Sequence, residues 1–140
     1  MKNQVEAGLL IVRLVLGITF VIHGIEKFQM GIGNVSGWFG SMGIPGFMAY
    51  IIAIIELVGG IAMILGLGTR IVGILFAATM IGAIFKVKLA SGFTGNGQMA
   101  GYELDLALLA ISVLLALSGS RLWSVDSLLF NSKGSKAIAN

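Results

Sequence analysis

The chain has 140 residues, of which 57% are hydrophobic and only 11% charged, with a formal net charge of +3. A soluble domain carries about 25% charged residues and a disordered chain is polar, so this composition excludes both. With no Cys and a single His, disulfide frameworks, thiol nucleophiles, Fe–S clusters, Cys-ligated zinc and a multi-histidine metal site are excluded as well.

A helix needs about 20 mostly apolar residues to cross a hydrocarbon core of about 30 Å. Four stretches approach this, and they predict an all-α membrane protein, a four-transmembrane-helix bundle. The first span runs from about Ala7 to Ile25 and contains Arg13 and His23. It is longer than a signal-peptide core and lacks a small-residue cleavage site, so it is read as retained. The segment from Phe28 to Gly46 is Gly-rich but too apolar for a free linker, and is expected at the interface or folded back into the bundle. The second span runs from about Phe47 to Leu67 with Glu56 near its middle, and Pro45 suits the start of its helix. The tight link Gly66-Leu67-Gly68-Thr69 makes the second and third helices antiparallel neighbours. The third span runs from about Ile71 to Leu89 and ends with Lys86 and Lys88. A polar Gly-rich loop, Ser91 to Gly101, leads to the fourth span, from about Tyr102 to Ser118, with Glu103 and Asp105 in its first turn. One membrane domain thus covers 1–130, and 131–140 is expected to be a polar, mobile tail.

Charged groups at membrane depth are costly, face the bundle interior and mark functional sites. On helical geometry Arg13 shares a face with Gly17 and Gly24, with Lys27 nearby. Glu56 shares one with Gly59, Gly60 and Met63, and Glu103 with Ala107 and Ala110. Small residues let membrane helices approach closely, so these are read as packed faces on which Arg13 pairs with Glu56, Glu103 or both. Such a cluster either holds helices in register or binds a polar group, a quinone headgroup or a proton. His23 lies about 80° off the Arg13 face. It is read as a packed histidine or as a hydrogen-bond donor and proton relay to a ligand. A haem or metal role is disfavoured, since the second ligand would have to come from elsewhere. Arg13, His23, Glu56 and Glu103 are the candidate catalytic residues. Gly17, Gly24, Lys27, Gly59 and Gly60 are the candidate substrate-binding ones, and no metal site is expected.

Other features have simpler readings. Lys86 and Lys88 suit snorkelling to headgroups, and Trp38, Tyr102, Trp123 and Phe130 suit interfacial anchoring. Met30, Met42, Met48 and Met63 are read as packing, with a flexible lining for a hydrophobic ligand as the alternative. GIGNVSG and GNGQMAG lack the Gly-Lys-Ser/Thr of a phosphate loop, which argues against a nucleotide site. The cations are scattered, so the expected partner is the lipid bilayer and not nucleic acid. With four spans, Lys2, Arg70, Arg121, Lys133 and Lys136 fall on one side and Lys27, Lys86 and Lys88 on the other. This distribution places both termini on the cytoplasmic side of the cell membrane.

The run RLVLGITFVIHGIEKF (Arg13 to Phe28) resembles the first-helix signature of the DoxX family. ELVGGIAMILGLGTR (Glu56 to Arg70) resembles its second-helix motif, and GYELDLALLAISVLLALSGSRLWSVD (Gly101 to Asp126) its closing segment, with Arg121-Leu122-Trp123 interrupting the usual Gly-rich ending. The resemblance extends from about Leu10 to Leu128. It implies a small four-helix membrane protein with redox chemistry, in a family whose relatives include a membrane subunit of a thiosulfate:quinone oxidoreductase and members linked to catechol, quinone and oxidative stress resistance. It assigns no cofactor. The family positions carried over are Arg13, Gly17, His23, Gly24, Lys27, Phe28, Glu56, Gly59, Gly60, Gly66, Arg70, Glu103 and Asp126.

Three functions follow as expectations. The first is a quinone- or catechol-linked oxidoreductase or redox-complex subunit, with a bound quinone in an apolar bundle and electrons supplied from outside, because the chain carries no electron-carrier signature of its own. The second is a non-enzymatic membrane anchor or assembly partner for a soluble redox enzyme. The third is a small-molecule or proton carrier. The Gly-lined faces leave room for homo-oligomerisation.

Overall fold

The computed structural model describes residues 1–137 and is all-α. Six α-helices follow one another: α1 (Lys2–Gln29), α2 (Ile32–Ser41), α3 (Phe47–Leu65), α4 (Thr69–Gly82), α5 (Glu103–Ser118) and α6 (Val125–Ala137). A π-helical turn (Ala83–Lys88) and a 3₁₀ turn (Leu89–Ser91) extend α4 without a break.

Among the described residues, three helical stretches are long and apolar enough to cross a membrane: Lys2–Gln29, Phe47–Leu65 and Thr69–Ser91. The fourth expected span is α5, and it falls short. Its 16 residues cover about 24 Å at the α-helical rise, against a core of about 30 Å. The first span exceeds its expected limits by about a turn at each end, because nothing between Lys2 and Gln29 breaks a helix. It stops where Gly31 takes φ +86°. A third or less of each span's most apolar stretch is buried inside the protein. Exposed Ile, Val and Leu on the remaining faces need lipid as their solvent.

Helix packing is closest within two pairs, α1 with α3 and α4 with α5. Glycines set both distances. A Cβ on Gly17 would meet the Gly60 carbonyl oxygen at 2.9 Å, and one on Gly24 would meet the Leu57 nitrogen at 2.8 Å. In the second pair a Cβ on Gly73 would lie 2.9 Å from the Ser112 carbonyl oxygen. The expectation of small-residue packed faces holds for these helices, in line with membrane helix association through small residues. The two pairs meet across a core of Leu16, Phe20, Met63, Phe76 and Leu115. There the Phe20 and Phe76 rings stack at 3.7 Å and 9°, with Gly59 making room for Phe76.

The α3–α4 turn closes by a Schellman arrangement. Gly66 takes φ +70°, its N–H donates to Met63 O, and the Leu67 N–H donates to Ala62 O at 2.8 Å. The Gly-rich segment after α1 is largely helical: α2 packs Val35 and Phe39 on Ala49 of α3, with Trp38 about half exposed. The Ser91–Gly101 loop is tied across its base. Glu103 N–H donates to Phe93 O at 3.0 Å, and the Phe93 and Tyr102 rings meet edge to face. α6 continues past the expected start of the tail at Asn131. The end of that tail, 138–140, lies outside the described residues.

Candidate functional site

The bundle has two chemically distinct ends. At one end α1 and α4 finish while α3 and α5 begin, and each close helix pair carries an ion pair there with a buried carboxylate and a partly exposed lysine. Lys27 Nζ of α1 lies 2.7 Å from Glu56 Oε2 of α3. Lys88 Nζ lies 2.7 Å from Asp105 Oδ2 of α5. They are the two ion pairs among the described residues. In both, the carboxylate side chain is the more deeply buried partner, 3% exposed for Glu56 and 7% for Asp105. Glu56 sits about 13 Å along α3 from its start, and Lys27 reaches it from the next helix. His23 lies one turn before Lys27 on α1, half-buried, its ring 6.3 Å from that of Phe20. His23 and Glu26 are the other titratable groups in electrostatic reach of Glu56.

The predicted pairing of Arg13 with Glu56 or Glu103 does not occur. Arg13 is 1% exposed and lies at the opposite end of the bundle. Its Nη1 donates to Ser120 O at 3.4 Å, Ser120 Oγ at 3.2 Å and Leu122 O at 3.2 Å, and its Nη2 donates to Trp123 O at 2.8 Å. Its Nε has no hydrogen-bond partner. A guanidinium presents five donors in a rigid fork, which suits several carbonyls of one loop. The loop it gathers contains Trp123 at φ +47°, a left-handed conformation that a bulky residue holds only when its surroundings enforce it.

Asp126 completes this end. Its carboxylate accepts from Gly68 N–H at 2.8 Å and Thr69 N–H at 3.2 Å, capping the start of α4. Its own N–H donates to Gly66 O at 3.1 Å. Arg13, Gly66 and Asp126, drawn from three separate sequence motifs, therefore lock the loop after α5 onto the α3–α4 turn.

Glu103 is also corrected. It is the first residue of α5 and is exposed, while the buried stripe of that helix is Asp105, Leu108, Ser112 and Leu115. The stripe's 3-4-3 spacing was the available signal for Asp105. Lys88 is not a snorkelling cation: the π-helical turn widens the last turns of α4 and carries its side chain to Asp105, whereas Lys86 stays exposed. Such turns recur at functional sites. Of the expected substrate-binding residues, Lys27 contacts Glu56, while Gly17, Gly24, Gly59 and Gly60 are filled by helix packing that leaves no space for a methyl group. Among the described residues no group of three or more His, Asp or Glu could hold a metal ion.

Spanning helices with lipid-facing apolar surfaces and charged pairs buried between them define a helical integral membrane protein. Residues 8–89 match the DoxX family, and the chain belongs to it. It is 49% identical over 133 residues to the Bacillus subtilis protein named "Putative oxidoreductase CatD", covering 95% of each chain. It is 34% identical over 125 residues to "Uncharacterized membrane protein Rv3486" of Mycobacterium tuberculosis, covering 82% of this chain and 77% of that one. It is 30% identical over 131 residues to "Inner membrane protein YqjF" of Escherichia coli, covering 92% and 97%. No solved structure matches the chain at a significant level.

Proposed function

We propose that the protein is a membrane-bound oxidoreductase, or the membrane subunit of a redox complex, acting on quinone- or catechol-type molecules. The observation that carries this reading is the Lys27–Glu56 pair, a 2.7 Å contact with a 3% exposed carboxylate inside a spanning helix. Ionisable groups at that depth are expensive and are kept where a polar group or proton must be handled. The name of the Bacillus subtilis relative, "Putative oxidoreductase CatD", supports the same direction.

A quinone becomes a quinol by taking up two electrons and two protons, and a catechol gives up the same on oxidation. Glu56 and Lys27 are the proposed groups that hydrogen-bond the ring oxygens and exchange those protons. His23 relays protons toward the surface, and Glu103 collects them at the same end of the bundle. The electrons come from a soluble redox enzyme. Arg13 contributes as a positioning residue, and the glycines hold α1 and α3 close enough for Lys27 to reach Glu56.

In the same reading α5 is the fourth span, packed along α4 and completed by its flanking turns, so both termini share a side, which the Lys and Arg distribution makes the cytoplasmic one. The test is an absorption spectrum of the detergent-purified protein with mass spectrometry of its organic extract. A quinone at near-stoichiometric yield, lost in Glu56→Gln, is expected. A colourless protein carrying lipid alone would contradict the proposal and favour a membrane anchor for a redox enzyme.

A further inference from the structure

A cleft of about 1160 Å³ opens at the Arg13 end of the bundle, between the starts of α1 and α4, the end of α5 and α6. Three cations line it: Lys2 at the first residue of α1, Arg70 at the second of α4, and Arg121 in the loop after α5. Neither ion pair among the described residues includes any of them. Two carboxylates also line the cleft, but each already serves the backbone. Asp126 caps α4, and Glu6 Oε2 accepts from Arg121 N–H at 3.2 Å. Arg70 spends one nitrogen on Ser118 O at 3.2 Å. The cleft therefore sets three cations against two carboxylates, a net formal charge of +1 with no ion pair between them among the described residues, at the depth where spanning helices end.

Its rim is apolar: Leu67, Ile71 and Phe130 line it with exposed side chains, and Ile71 continues into the lipid-facing side of α4. A free phosphate has no use for such a rim, whereas a phospholipid has a charged head beside two acyl chains. We propose that this cleft binds the headgroup of an anionic phospholipid, with Lys2, Arg70 and Arg121 around the phosphate and the acyl chains along α4. Basic pockets at the ends of spanning helices recognise anionic headgroups by this electrostatic route. The proposal is independent of the redox reading, which concerns the opposite end of the bundle.

Native mass spectrometry of the full chain in detergent tests it, with phosphatidylglycerol and phosphatidylcholine of matched acyl chains and with inorganic phosphate as competitor. The expected result is preferential retention of phosphatidylglycerol, unaffected by phosphate. In Lys2→Gln/Arg121→Gln, which alters two exposed side chains, affinity falls by about fivefold for each cation removed. Equal retention of the two lipids, displacement by phosphate, or an unchanged affinity in a folded double variant would each overturn it. The comparison of lipids on the unaltered protein decides the matter even if the variant fails to fold.

Discussion

Arg13 shows how a buried charge can be held without a direct ion pair, with Asp126 in electrostatic reach. Its four acceptors all belong to the loop that follows α5, three of them backbone carbonyls. Removing the guanidinium leaves those acceptors unpaired and empties its volume, and buried polar groups left unsatisfied cost about 1–3 kcal/mol each. Arg13→Ala is therefore expected to lower stability by at least about 3 kcal/mol, and Arg13→Lys to restore little of it, since an ammonium cannot span the fork. Thermal unfolding in detergent checks this, with limited proteolysis reporting whether the loop around Trp123 is released. An Arg13→Ala protein of unchanged stability would remove the positioning role. Sequence patterning placed Arg13 inside the bundle but misassigned its partners. Counting carboxylates finds ion pairs, whereas carbonyls turned inward by a left-handed Trp123 leave no trace in composition.

At the scale of helices, the periodic apolar runs located α1, α3 and α4 closely, because membrane spans advertise themselves by length and hydropathy. Two elements were less legible. The π-helical turn at Ala83–Lys88 has no sequence signature, and without it Lys88 reads as a headgroup cation. The buried stripe of α5 runs through Asp105 and not through the Glu103 face that its small residues suggest, two residues and more than half a helical turn away, so two neighbouring acids differ in exposure. Glycine spacing was the more dependable guide. A Cβ at Gly60 would lie 2.8 Å from both the Gly17 oxygen and the Val21 nitrogen, all backbone. Gly60→Ala is expected to push α1 from α3 and cost about 1–3 kcal/mol. Gly8→Ala meets nothing within 4 Å and should stabilise α1 by about 0.5–1 kcal/mol. Parallel thermal melts of the two variants separate close packing from helix propensity, and equal shifts would contradict the packing account.

Over the whole molecule, lipid-facing spans enclose two ends of different character: one bears the Lys27–Glu56 and Lys88–Asp105 pairs, the other the lock of Arg13 and Asp126. The family resemblance read from the sequence proved correct, and one residue from each of its three motifs, Arg13, Gly66 and Asp126, builds the lock. The cysteine-free chain allows a clean topology test. With α5 as the fourth span, an impermeant maleimide applied to intact cells should label Gln98→Cys, and should label Asn131→Cys only after lysis. Labelling of both from outside would remove α5 as a span. The central claim, that the Lys27–Glu56 pair handles a quinone and is more than a structural tie, is tested most directly by quinone-analogue affinity. The purified protein would be compared with Glu56→Gln and Asp105→Asn, each of which disrupts one 2.7 Å ion pair. The account predicts at least about a tenfold loss of affinity, or about 1.4 kcal/mol, in Glu56→Gln and little change in Asp105→Asn, even where the two melt at similar temperatures. Equal affinity in all three proteins, with only stability lowered, would contradict it and leave both pairs as struts between helices.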